Sequence, residues 1–261
     1  MKLTFLGTGT SFGVPQIGCG CAVCRSADPR DKRNRTAVVI EEGGKTILVD
    51  TPPELRLGLL EAGVKAVDAV LFTHDHADHT HGMDDLRALS GHHGGTLPIY
   101  ASAEVLERLR RKFDYIFDPD ARPIPGSARP NVLAVPLVPG VEEEIAGIEV
   151  LPIELSHGPS KVLAFRFGRM AYVTDAKAVP EAARRALKDG GLDVLVLNAL
   201  FHRSHPTHLS IPEAVETAKA IGAKRTYLTH LTHETGHASL LAELPAGIEP
   251  AWDGLVVEAG A

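Results

Sequence analysis

The sequence predicts an α/β fold of two β-sheets packed face to face with helices outside, and three observations carry that expectation. Each half of the chain is rich in short apolar runs of strand length, interleaved with segments of helical spacing. The clusters of histidine and aspartate stand directly after apolar runs, where loops at strand ends can gather them into one site. With 261 residues and 44% hydrophobic content there is ample material for a buried core, and no internal repeat or low-complexity linker divides the chain. A single domain over residues 1–261 is therefore expected.

Taken in order, Met1–Gly7 reads as a short strand entering a glycine turn. It is too short for a signal-peptide core, and no apolar run approaches membrane-spanning length, so the expected location is the cytoplasm. Thr36–Glu41 and Lys45–Asp50 flank Glu42-Gly43-Gly44, a hairpin signal. Leu55–Ala62 has helical spacing, with Gly63 as its stop. Ala69–Phe72 is an apolar strand running straight into a histidine cluster, and Ala103–Phe113 is a further helix. Asp118–Pro130 is proline-rich and reads as an irregular surface excursion. Beyond it, Ile148–Leu155, Val162–Phe167, Ala171–Thr174, Val194–Leu197 and Arg225–Thr229 read as strands, with helices at Pro180–Leu187 and Ile211–Ile221.

The formal charge of −6 provides no global basic field to draw the protein onto nucleic acid or an anionic membrane. A nucleic-acid substrate would need a local patch. The short basic run Arg30, Lys32, Arg33 and Arg35 reads as a solvated turn, with contact to a substrate phosphate as the alternative.

Chemistry concentrates in Thr73-His74-Asp75-His76-Ala77-Asp78-His79. Three histidines and two aspartates within six residues, just past an apolar strand, offer imidazole and carboxylate ligands for borderline metals. In an extended segment His74 and His76 project the same way and can share one ion. Asp78 and His79, opening the next helix, can address a second.

His74-x-His76-x-Asp78-His79 resembles the signature of the metallo-β-lactamase superfamily, and further matches follow in chain order. The family's isolated histidine corresponds to His157, its bridging aspartate to Asp175 and its last histidine to His230. Asp50 resembles the early aspartate that orients a ligand histidine. The resemblance implies the αβ/βα sandwich of that superfamily. It assigns His74, His76 and His157 to one ion, Asp78, His79 and His230 to the other, and Asp175 to the bridge. It further implies hydrolysis by a water that two adjacent cations, Zn²⁺ or Mn²⁺, activate, with Asp78 and His208 in catalytic roles.

The three cysteines, Cys19, Cys21 and Cys24, form a poor disulfide framework but a good thiolate cluster. Tetrahedral Zn²⁺ would leave one position open, and His233, three residues beyond His230, is the candidate to fill it. A closed Cys₃His site of this kind is structural, within an insert at about residues 17–26. This insert, with Gly7-Thr8-Gly9-Thr10-Ser11, His79-x-x-Gly82-Met83-Asp84-Asp85-Leu86-Arg87 and Phe113-Asp114-Tyr115-Ile116-Phe117, is similar to the PhnP branch. That branch includes a phosphodiesterase opening a ribosyl 1,2-cyclic phosphate. The resemblance implies a small phosphodiester as partner, no membrane, and a homodimer.

His208, in His205-Pro206-Thr207-His208-Leu209-Ser210, matches a histidine that approaches the scissile phosphate in phosphodiesterase branches. It would supply a proton to the leaving alkoxide or stabilise charge. The alternative is a packing role at a helix start, with Ser210 as the N-cap. His81, His92 and His93 read as solvated loop histidines, the last two in a loop that could form a substrate lid. Three further readings stay open: a tRNA 3′-processing endonuclease, a thioesterase or lactonase on the same metals, and a non-catalytic zinc-stabilised binding protein.

Overall fold

Strand residues divide their side chains between different cores, which is why the runs read as continuously apolar. Ile47 and Val49 point into the space between the sheets, while Leu48 between them packs beneath the outer helices. Val194 and Val196 face the same inner core, and Leu195 and Leu197 face the helices of the other side. The structure, a computed structural model, describes residues 1–92, 95–120 and 126–260.

The first half supplies β1 (Lys2–Gly7), β2 (Ala37–Glu42), β3 (Lys45–Val49), α1 (Leu55–Glu61), β4 (Ala69–Leu71), α2 (Ala77–Thr80), α3 (Leu86–His92), β5 (Leu97–Ser102), α4 (Ala103–Lys112), α5 (Asp114–Phe117) and β6 (Val132–Leu137). The second supplies β7 (Glu143–Ile145), β8 (Ile148–His157), β9 (Ser160–Phe167), β10 (Met170–Val173), α6 (Glu181–Lys188), β11 (Val194–Asn198), α7 (Ile211–Ile221), β12 (Arg225–Thr229), α8 (His237–Glu243), β13 (Ile248–Pro250) and β14 (Val256–Glu258). Among the described residues these make two seven-stranded sheets, ordered β14-β1-β2-β3-β4-β5-β6 and β13-β12-β11-β10-β9-β8-β7. The last strand crosses back to pair with β1, so the first sheet carries a strand from the second half of the chain.

Each sheet combines an antiparallel hairpin region with a parallel run: β3 to β6 in the first, β10 to β13 in the second. Between the sheets lie Leu3, Phe5, Ile40, Phe165, Phe167 and Tyr172, all inaccessible to solvent. Helices α1, α3 and α4 cover the outer face of the first sheet through Leu55, Leu86 and Leu109. Helices α6, α7 and α8 cover the second through Leu187, Ile221 and Leu240.

Two expectations from sequence change here. Arg33 does not lie on a solvated turn: its side chain is wholly buried, because backbone carbonyls surround its guanidinium. The loop proposed at Ser90–Gly95 is helical through His92, the end of α3, while His93 lies outside the described residues. Residues 121–125 of the proline-rich excursion also lie outside them.

Candidate metal centre

The donor residues stand where strands of both sheets end. Asp50 follows β3, His74 lies just past β4, His157 closes β8, Asp175 lies just past β10 and His230 follows β12. Three of these turn the chain sharply out of its strand: Asp50, Asp175 and His230 have φ of 65°, 55° and 61°. Aspartate and histidine tolerate this left-handed conformation better than most residues. Asp78 and His79 come from α2, a single helical turn starting beside His76.

These side chains gather into two adjacent sets. The donor atoms of His74, His76 and His157 lie within 4.8 Å of one another, as do those of Asp78, His79, Asp175 and His230. Asp175 joins the sets: its Oδ2 is 3.8 Å from His74 Nε2 and 3.4 Å from His230 Nε2, and its Oδ1 is 3.4 Å from His79 Nε2. His76 is exposed, so the cluster opens to solvent on its side.

A hydrogen-bond scaffold fixes which nitrogen faces inward. His79 Nδ1 donates to Asp50 Oδ2 at 2.7 Å. The Thr73 hydroxyl donates to the same oxygen at 2.8 Å and accepts from His74 Nδ1 at 3.0 Å. His157 Nδ1 donates to the Thr207 carbonyl at 3.0 Å. Nε2 of all three rings is thereby left for another partner. Sequence reasoning anticipated Asp50 but not Thr73 or Thr207, since a threonine carries no signal for such a role.

The residues fit divalent cations. Among the described residues, Nε2 of His74, Nε2 of His79 and both ring nitrogens of His230 are buried with no hydrogen-bond partner. Buried polar atoms are seldom left so, and convergent imidazole nitrogens beside carboxylates are a borderline-metal ligand set. Burial holds His74 well below the ordinary histidine range, aided by His79, so its lone pair is free. Burial opposes ionisation of Asp175, yet His230, His79 and the hydrogen bond from His208 outweigh it and hold the carboxyl well below its usual range. Asp78 behaves likewise, with His79 and His230 outweighing its burial.

His208 sits on Asp175, its Nε2 3.1 Å from Oδ2, while its Nδ1 lies 2.8 Å from the Thr207 hydroxyl. Burial lowers its pKa to about 4, against the pull of Asp175. Ser210 caps α7: its hydroxyl accepts from Glu213 N and the Glu213 carboxylate accepts from Ser210 N. This reciprocal box fixes the approach of the 205–209 segment. His81 is exposed, edge-on to Phe113.

The second cluster lies in the insert. The Sγ atoms of Cys19, Cys21 and Cys24 converge on His233 Nδ1 at 3.2, 3.5 and 3.5 Å. The Cys24 amide donates to Cys21 Sγ, and this contact, with help from His233, lowers the Cys21 thiol to about 6. Four donors within 4.8 Å, three sulfurs and one imidazole, suit a closed tetrahedral ion. The other basic residues of the run are engaged: Arg30 with Asp28, Lys32 with the Cys24 carbonyl, Arg35 with Glu54 and the Ser11 carbonyl.

A family model described as a beta-lactamase superfamily domain matches residues 45–231. The chain is 40% identical to a protein whose crystal structure is that of a diphosphatase from the PhnP family, covering 98% of this chain and 96% of that one with a TM-score of 0.90. It is 38% identical to an octanoyltransferase of Porphyromonas gingivalis over 98% of its own length but only 51% of that protein's, so it spans about half of that relative. It is also 27% identical to a ribonuclease Z of Pyrobaculum neutrophilum, over 96% of this chain and 93% of the other.

Proposed function

The chain belongs to the PhnP family of the beta-lactamase superfamily, and from that premise we propose that it is a binuclear metal-dependent phosphodiesterase acting on a cyclic phosphate or another small phosphodiester. The observation that carries this reading is the set of buried, unpartnered imidazole nitrogens converging around Asp175. His74, His76 and His157 would hold one ion, Asp78, His79 and His230 the other, and Asp175 would bridge them. Two such cations supply Lewis acidity and make a nucleophile available from water at neutral pH.

The chain's own residues do the rest. Asp50 and Thr73 hold the rings of His79 and His74 with Nε2 inward, and Thr207 does the same for His157. His208 is neutral in the free protein at neutral pH. A phosphate bound beside it would favour its protonated form, from which Nε2–H could pass to the departing oxygen. Cys19, Cys21, Cys24 and His233 would hold a structural Zn²⁺.

Two relatives support P–O cleavage, since one is named a diphosphatase and another a ribonuclease. The diphosphatase name favours a second reading, a small P–O–P anhydride as substrate. The test is a panel on metal-loaded protein: bis(p-nitrophenyl) phosphate, ribosyl 1,2-cyclic phosphate, 2′,3′-cyclic nucleotides, a dinucleoside diphosphate, precursor tRNA and an octanoyl thioester. Turnover of the small phosphodiesters above all others is expected. Preference for the diphosphate selects the second reading, preference for tRNA selects a nuclease, and turnover of the thioester alone, or of none, overturns the proposal.

A further inference from the structure

Among the described residues, the arginine side chain of Arg33 is buried without belonging to either donor cluster. The Arg33 side chain has no exposure, and its Nε lacks any hydrogen-bond partner among the described residues. From the segment that follows the insert, its two terminal nitrogens reach the loop that carries His230 and His233. Nη1 donates to the Thr232 carbonyl at 2.6 Å and Nη2 to the Thr235 carbonyl at 3.2 Å, so the fork brackets His233 and begins two residues past His230.

The backbone of Arg33 anchors the other side of this connection. It exchanges both backbone hydrogen bonds with Val14, at 2.8 and 2.7 Å, closing the neck through which the cysteine segment leaves and rejoins the body. Asp31 Oδ1 accepts from Arg33 Nη2 at 3.3 Å and from the His237 amide at 2.7 Å, which ties down the far end of the same loop. Gly9 passes so close that an added Cβ would lie 2.8 Å from the Arg33 carbonyl.

Filling this space would need only an apolar side chain, and an apolar one would avoid the cost of burying a charge. Reaching two carbonyls on either side of a ligand histidine needs a planar fork. We propose that Arg33 is a positioning residue through which the cysteine clip and the histidine–aspartate centre are coupled, so that an ion in the clip strengthens binding of the ion that His230 holds. By linkage the dependence runs equally in both directions. This inference rests on the assignment of metal ions to both clusters.

The experiment uses full-length protein with Mn²⁺ as the probe of the histidine–aspartate centre, its affinity measured by electron paramagnetic resonance of free Mn²⁺ well below each variant's melting temperature. Zinc content is determined on the same samples. Arg33→Met should keep clip zinc yet lose about tenfold or more in Mn²⁺ affinity, the scale typical of groups that orient metal ligands. Cys21→Ser should weaken Mn²⁺ binding similarly, and the double variant should be no weaker than the worse single one, because both break the same connection. Arg33→Lys keeps the charge but lacks the fork; it should also weaken binding, and it carries the test if Arg33→Met does not fold. A purely scaffolding Arg33 would lower the melting temperature of these variants and leave Mn²⁺ affinity within about twofold of wild type, which would overturn the proposal. Losses that multiply in the double variant would overturn it too. Wild-type protein that binds no Mn²⁺ or no zinc would remove the metal assignments themselves, a failure separate from absence of coupling.

Discussion

The Asp50 carboxylate accepts from His79 directly, at 2.7 Å, and reaches His74 through the Thr73 hydroxyl. One buried acid thus orients an imidazole in each half of the donor cluster. Asp50→Asn, which can present a donor where His79 needs an acceptor, should weaken both catalytic ions about 10–100-fold. Thr73→Val should weaken chiefly the ion held by His74. Isothermal titration of metal-stripped protein checks this, and equal effects of the two substitutions on both ions would contradict the relay.

The two donor sets around Asp175 and the separate cysteine clip imply three metal ions per fully loaded chain. Elemental analysis and anomalous scattering at the metal edges should find them at three positions. Removing a thiolate from a closed site forfeits metal-coupled folding energy. Cys21→Ser should therefore lower the melting temperature, by roughly 2–4 °C for each kcal/mol lost, while kcat per folded molecule, measured with the catalytic metal at saturation, changes little. An unchanged melting temperature with wild-type zinc content would remove the structural role.

His208 separates proton transfer to the leaving group from simple attack. His208→Ala should keep both catalytic metals and lose roughly 10²–10⁴-fold in kcat on substrates with poor alkoxide leaving groups. The loss should be much smaller on a p-nitrophenyl diester, whose leaving group departs without a proton. Equal kcat losses on both would exclude the acid role, and a matched rise in KM alone would mark phosphate binding instead.

Asp253 makes a pH prediction away from the metals. Its carboxylate accepts from the Thr8 hydroxyl at 2.7 Å and the Asn34 backbone N–H at 2.6 Å, yet burial raises its pKa to about 7. An acid raised above the ~3.9 of an unfolded chain contributes stability that is complete below that value and is lost as pH rises through 7. Asparagine keeps the shape of the protonated carboxyl. Relative to wild type, Asp253→Asn should therefore gain stability as pH rises from 4 to 7, by at most about 1.4 kcal/mol per pH unit. Urea unfolding of both proteins across that range checks it; parallel profiles would show that Asp253 is not the titrating group.

The donor residues were legible because each follows an apolar run, and ending a buried strand is a strong local signal. His74, His157, Asp175 and His230 all obey that rule. Strands β5 and β6 were missed because Pro98 and Pro136 interrupt their patterns; β6 tolerates its proline as the edge of its sheet. β13 and β14 are three residues each, too short to show alternation. Arg33 was misread because a charge among charges looks solvated, and only the three-dimensional arrangement brings carbonyls from two hundred residues away around it.

The left-handed backbone at Asp175 and His230 also constrains how this centre can evolve. Apart from glycine, the residues that most readily occupy such positions are asparagine, aspartate and histidine. A lineage drifting toward a different metal therefore has a narrow alphabet at the bridge and at the last histidine. His76 and His157 sit on extended backbone, where cysteine or glutamate meets no such penalty. Mutational paths to softer or harder ligand sets open first at His76 and His157, while the backbone holds Asp175 and His230 to that narrow alphabet.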